Sequence, residues 1–499
     1  MLKIKQTLFL FFSLQALGSV VFAQDRVLSL EETIALACDQ SLSAHRARNS
    51  FLSEYWSYRS YRAARLPSLT LSMTPLRYDR TFKSRYDSQT NRDVYRQQQS
   101  LYSYGNLALS QNVDLTGGTL YFDSEMGFVR NFGSTTYQQY STVPIRIGYS
   151  QQLVGYNRFK WEKQIEPLRY EKAKRTLLYT LESISETAAS YFFNLAMAEV
   201  AYNLAESGLA SSDTLYRIVG RERQQIASIS QADLLTLRLD WINAGNTLSN
   251  AEIDLKKASF ALANYLNMDK QLLLRLQLPE KPRQVTISTQ TALDMVRLYN
   301  PDYLTNKQSL LEARRNLEQT ERSSKLEASL NMSVGFNQVA SDFRDSYRNP
   351  LEQDVVSVSV KVPLVDWGVR RGKVNMARNQ LEVIQLTVLQ DELSLEEEVA
   401  MTVNDFNIQQ NMIKSAEEAR VLADLAYEAT KDRYLIGKVE ISSLSMALSR
   451  KETARRNYIS ALKNYWLSYL KLRKLTLFDF QRNLPLYTDF ENKYVAKFL

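Results

Sequence analysis

Apolar and small polar residues alternate without a fault over residues 328–336. The pattern recurs over 356–364, where Ser357, Ser359 and Lys361 take the other side. A period of two with one greasy and one wet side predicts strands. Residues 69–73 and 145–153 repeat it, as do 107–115 and 120–128, which are joined by Thr116-Gly117-Gly118-Thr119. Gly-Gly between alternating runs predicts a tight hairpin. The stretch 77–104, rich in Arg, Tyr, Asp and Gln, reads as a polar loop in front of that hairpin. Elsewhere the period is helical. From about residue 158 to 223, Leu177, Leu181, Ile184, Ala188, Tyr191 and Leu195 fall on one stripe, and Pro167 sits in the first turns, where proline is tolerated. At ~1.5 Å per residue this predicts a rod on the order of 100 Å, and residues 369–435 predict another. Small residues on the stripe (Ala188, Ala189, Ala196, Ala198) allow close helix approach in a coiled-coil-like sheath.

The chain repeats itself. At a separation of 259, Leu28-Ser29 falls on Ile287-Ser288, Ile34 on Leu293, Leu71 on Leu330 and Met73 on Met332. At 211, Ile145 and Ile147 fall on Val356 and Val358, and Leu153-Val154 on Leu364-Val365; at 212, Ile229-Ser230 falls on Ile441-Ser442. Two long copies share one plan, and the first carries an insertion between Met73 and Ile145. Residues 24–284 form the first repeat: helix 28–66, strands near 68–76, 106–115, 119–129 and 143–154, helices 157–225 and 230–270. Residues 285–480 form the second: helix 289–325, strands near 327–339 and 354–364, helices 368–435 and 442–475. A tail, 481–499, follows. Four core strands, two per repeat, are expected, with the inserted hairpin lying beyond them.

Each pair of long helices meets at a short turn. Ser230 caps the helix after the first, with Asp233 three residues on, while Gly437 ends a helix and Ser442 caps the next at the second.

Composition narrows the class. Lys3 and Lys5 precede the apolar run 7–21, and Val21-Phe22-Ala23 offers a cleavage site, so residues 1–23 read as a signal peptide. The net charge of +8 falls to +6 on its removal, and basic residues are interspersed with acidic ones, a solvated-helix pattern with no nucleic-acid tract. Beyond the signal no run of 18 or more apolar residues exists, so any membrane passage must use a closed barrel. Cys38, the only cysteine, lies on an apolar helical stripe and reads as a small buried hydrophobe; His45, the only histidine, reads as a surface helix residue. One histidine supports no Ser/His/Asp set, and no Walker, GxGxxG or HExxH motif occurs. Catalytic, metal and cofactor sites are not expected. A periplasmic coiled-coil adaptor without a pore is the alternative, but it leaves the paired strands unexplained.

The ordering, the duplication and the tips resemble the TolC family of outer-membrane efflux and secretion channels over essentially the whole mature chain. The residues that carry the resemblance are Leu66-Pro67, Ile229-Ser230-Gln231-Ala232-Asp233-Leu234-Leu235, Asn300-Pro301, Pro363-Leu364-Val365-Asp366-Trp367-Gly368 and Tyr434-Leu435-Ile436-Gly437 with Ile441-Ser442. The resemblance implies an α+β membrane protein of the Gram-negative outer membrane. Three protomers form one β-barrel, continued by a helical coiled-coil tunnel in the periplasm. It implies a homotrimer in outer-membrane lipid, docked by its tips to a periplasmic adaptor and an inner-membrane pump. Tyr434 matches a tyrosine of the family's gate; its arginine falls on Val439, and its acidic ring on Ser443 and Met446. Neither the salt-bridged lock nor the carboxylate ring can form from Val439, Ser443 and Met446, which leaves Glu440 or Asp233 as substitutes.

Overall fold

The computed structural model describes residues 26–132, 136–225, 231–269, 274–279, 285–436, 438–439, 441–488, 490 and 494–495. In chain order the elements are β1 (Arg26–Ser29), α1 (Leu30–Gln40), α2 (Leu42–Ala63), β2 (Ser68–Asp87), β3 (Arg92–Val113), β4 (Gly118–Asn131), β5 (Tyr137–Val154), α3 (Arg158–Gln225), α4 (Gln231–Tyr265) and β6 (Leu274–Gln277). The second half follows with α5 (Thr289–Tyr299), α6 (Pro301–Ser323), β7 (Glu327–Ala340), β8 (Leu351–Lys361), α7 (Val369–Leu435), α8 (Ile441–Thr476), β9 (Phe478–Asp479) and β10 (Leu484–Pro485). The proposed signal peptide lies outside the described residues.

The repeat is visible in the caps. Ser29 closes a capping box with Glu32, and Ser288, its counterpart at 259, accepts from the Thr291 N–H. The two helices expected over 28–66 and 289–325 are each broken, at Ser41 and at Asn300. Both are extended C-caps and are again 259 apart. Pro301 has no N–H and holds Asn300 out of the helical region. Ser41 instead uses its Oγ to accept from the Ala44 N–H at 3.1 Å, starting a second helix.

The chain divides into two compact units. One contains residues 1–50, 175–300 and 395–499. Its core is built from Phe192, Phe193, Leu262, Leu266, Phe406, Tyr465 and Tyr469, all fully buried. Here Arg473 bridges Glu182 at 2.6 Å, Lys474 bridges Glu186 at 2.7 Å, and the Asn300 amide donates to the Leu475 carbonyl at 2.9 Å. After α8 the chain turns back through β9 and β10, pinned by a bond of 2.7 Å from the Tyr469 hydroxyl to Asp479. Cys38 sits on this unit's apolar stripe, its Sγ 3.4 Å from Ser185 Oγ, and burial pushes its thiol up. His45 is exposed.

The other unit, residues 51–174 and 301–394, holds a six-stranded antiparallel sheet in the order β2-β3-β4-β5-β7-β8. Two expectations are corrected here. Residues 77–104 are not a loop: β2 and β3 pair continuously from Ser68↔Ser110 to Asp87↔Arg92. The inserted hairpin does not lie beyond the core strands either, because β3 and β4 stand between β2 and β5. Strands consecutive in sequence pair with each other, so an insertion between two neighbours becomes an insertion into the sheet. Its Gly117-Gly118 turn is tied to the neighbouring helix ends. Arg65 bridges Asp114, and the Asn157 amide donates to the Asp114 carbonyl at 3.1 Å while its Oδ1 caps α3 through the Lys160 N–H.

Candidate functional site

Directly paired residues of a sheet point to the same side. Following the pairs across all six strands therefore sorts the side chains into two faces. One face carries Leu69, Leu71 and Met73 of β2, Leu107 and Leu109 of β3, Phe122 of β4, Ile147 of β5, Met332 and Val334 of β7, and Val356 and Val358 of β8. Every one of these is exposed, and Val356 retains 72% of its surface. Ser124 and Asp354 also lie on this face, opposite Leu107 and Val334, but exposed apolar side chains dominate it, and a patch of this extent marks a surface that contacts protein or lipid. The opposite face carries Thr70, Ser72, Asn106, Ser150, Asn331, Ser333, Ser357 and Ser359, with Ser150 bonded to Asn331 at 2.7 Å.

The polar face has one charged knot. Pro144 cannot donate to the ladder, and β5 carries its register shift between Thr142 and Arg146. Beyond this bulge Arg146 reaches across to β4, with Nε donating to Asp123 at 3.0 Å and Nη2 to Asp123 and Glu125. The Asn106 amide donates to both carboxylates at 3.2 Å. Two carboxylates against one guanidinium leave this face locally negative. On β7, Gly335 lies opposite Arg146, where a Cβ would come 2.6 Å from the Ile145 carbonyl oxygen, so the bulge requires glycine there. Sequence patterning missed this knot because its members are far apart in the chain.

The passage from β8 to α7 is a tight polar turn. Asp366 accepts from the N–H of Gly368 at 3.2 Å and of Arg370 at 3.0 Å, and the Arg370 guanidinium returns to it. These bonds hold the Asp366 carboxyl down to about 2, the guanidinium first among them. Trp367 and Gly368 take positive φ, and Trp367 is 95% exposed.

At the helical ends, the Lys438 N–H donates to the Arg433 carbonyl at 2.9 Å, just past the end of α7. Tyr434 and Val439 are half-buried; Ser442, Ser443 and Met446 are exposed. The Arg450 guanidinium donates to Met446 Sδ at 3.5 Å. Of the other expected tip residues, Asp233 lies in the first turn of α4. Ile229, Ser230, Gly437 and Glu440 lie outside the described residues. A little further along, Ser415, Ala416 and Ala419 of α7 and Ser449, Arg450, Thr453, Ala454 and Asn457 of α8 line a shallow groove of about 470 Å³. Lys451 over the Tyr427 ring and Arg420 over Tyr458 hold the two helices side by side.

Among the described residues no helix is long and apolar enough to cross a membrane, and no group of His, Cys, Asp and Glu could hold a metal ion. No curated protein matches the sequence. Residues 300–476 match the family model described as outer membrane efflux protein. Among solved structures, the CmeC outer membrane channel of Campylobacter jejuni is similar at a TM-score of 0.64 and 14% identity, over 94% of this chain and 89% of that one. The outer membrane protein VceC of Vibrio cholerae gives 0.59 and 13%, over 90% and 95%. The MtrE outer membrane channel of Neisseria gonorrhoeae gives 0.58 and 16%, over 90% and 88%. At these identities the likeness is one of fold.

Proposed function

We propose that this chain, whose residues 300–476 match the family model described as outer membrane efflux protein, is one protomer of a homotrimeric outer-membrane channel. The carrying observation is the two-faced sheet. Its apolar side suits lipid and its polar side suits a water-filled lumen, the division that a membrane barrel requires. A sheet with two open edges cannot sit in a bilayer alone, since each unpaired N–H or C=O there costs several kcal/mol. Closure must come from further copies.

The helices continue the conduit on the periplasmic side as a coiled-coil-like tunnel, and their tips are the docking points for a periplasmic adaptor that links to an inner-membrane pump. The small-residue groove between α7 and α8 supports that partner, because Ser and Ala lining admits a helix at close range. Conduction is passive, with energy supplied by the pump, and the chain is no enzyme. The negative knot at Asp123, Glu125 and Arg146 makes the lumen mildly favourable to cations. At the tips, Val439, Ser443 and Met446 imply closure without an acidic ring, with Asp233 and Glu440 as its polar contacts.

Purified trimers in planar bilayers should give ohmic steps once the tips are opened by substituting Tyr434 and Asp233. The protein should also stay in outer membranes through high-salt and carbonate washes. Release by carbonate, or silent trimers with opened tips, would overturn the channel and favour the pore-less adaptor.

A further inference from the structure

Resting on the trimeric reading above, we infer that three copies close β8 of one onto β2 of the next in a defined register, giving a wall of eighteen strands and a bore set by the inserted hairpin. The inference starts from the ends of the strands. Cross-strand pairs carry Ser68 of β2 to Ser110, Tyr121, Gly148, Ser333 and finally Val355 of β8. β8 runs on from Val355 to Lys361, so its end at the helix-bearing rim is six residues lower than the start of β2. Across six strands that is about 20 Å of stagger in about 28 Å of width, a tilt of about 35°, which meets the lower bound for closed barrels.

If both strands begin level at that rim, Lys361 faces Ser68 of the neighbour. Six is even, so the two faces stay in phase across the seam. The seam then sets Leu71 beside Val358 and Met73 beside Val356 on the lipid side, and Ser72 beside Ser357 on the water side. A slip of one residue would set Leu71 against serine. β2 rises where β8 descends, so the new pairing is antiparallel like the rest of the sheet.

The consequence is width. Eighteen strands at this tilt give a backbone diameter of about 33 Å, against about 22 Å for twelve, leaving about 20 Å clear after side chains. The wall therefore passes bulky solutes up to about 20 Å across, and selection by size falls to the helical tips.

The test uses the full-length protein with Cys38→Ser, so that introduced pairs are the only thiols. Ser72→Cys with Ser357→Cys should be converted by a membrane-permeant oxidant into a ladder of dimers and trimers. Leu71→Cys with Ile147→Cys should stay unlinked, because β2 and β5 are about 14 Å apart, beyond the reach of a disulfide. A twelve-stranded wall makes β2 and β5 neighbours and gives the opposite result. Trimers that link Leu71 to Ile147, or fail to link Ser72 to Ser357, overturn the seam and leave the channel reading standing. A chain that never reaches the outer membrane overturns both. As a second measurement needing no cysteine, polymers added from the outer side should depress the wild-type current only once they are small enough to enter about 20 Å; exclusion at half that width counts against the eighteen strands.

Discussion

Asp366 shows how one side chain can fix the junction of two elements. Its carboxylate is held by two backbone N–H groups and a guanidinium, and its folded acidity lies near 2, below the ordinary value for aspartate. The resulting stabilisation is complete above pH ~4 and disappears as pH falls through about 2, because a depressed acid is stabilising only while ionised. Asp366→Asn should therefore lower the thermal midpoint at neutral pH and flatten its dependence between pH 4 and 2, measured by circular dichroism. Gly335 acts by absence. Gly335→Ala pushes a methyl into the Ile145 carbonyl and should cost about 1–3 kcal/mol, read as a lower urea midpoint for the folded sheet. Arg146, Asp123 and Glu125 were not legible as a group from the sequence, since their meeting depends on a bulge that only the register of β4 against β5 reveals.

Among the elements, the caps are a matched experiment supplied by the duplication. Ser29→Ala removes one bond of a reciprocal pair with Glu32 and should cost about 1 kcal/mol. Ser288→Ala loses both the bond from the Thr291 N–H and the 2.7 Å bond to the Thr291 hydroxyl, whereas Ser29→Ala keeps its backbone N–H on Glu32, so the second substitution should have the larger effect, and chemical denaturation of the two variants checks the order. Much of the element plan could be read from the chain: β7 and β8 alternate because one face is apolar and the other wet. The outer halves of β2 and β3 escaped notice for the complementary reason. β4 ends opposite Ser100, so the pairs beyond it, such as Phe82↔Gln97, have no third strand beside them and are wet on both sides. The shift between Thr74 and Arg77 also inverts the parity of β2 partway along. The breaks at Ser41 and Asn300 were half legible: Pro301 announces one, while Ser41 works through a side-chain bond that leaves no composition signal.

For the whole molecule, the sheet's composition argues that the folded state belongs to an assembly. Both edge strands carry exposed apolar residues, with Leu69 at 67% and Val360 at 59%, and among the described residues no further strand pairs with either edge. Soluble sheets blunt such edges, because open ones invite pairing with any available strand. The edges therefore impose a condition on biogenesis. On the proposed reading as an outer-membrane trimer, a chain that completes its sheet before reaching the membrane presents two adhesive borders to every unfolded neighbour, so delayed sheet formation at the membrane is the safer route. In refolding from urea into detergent micelles, the rate at which heat-modifiable trimers appear should rise more steeply than linearly with protein concentration, and excess chain without lipid should precipitate. A strictly first-order rate would mean that each chain seals its own borders. In the proposed trimer, quality control has a simple handle: a protomer whose neighbours never arrive keeps its borders open, and proteases that extract extended strands can tell it from a closed wall.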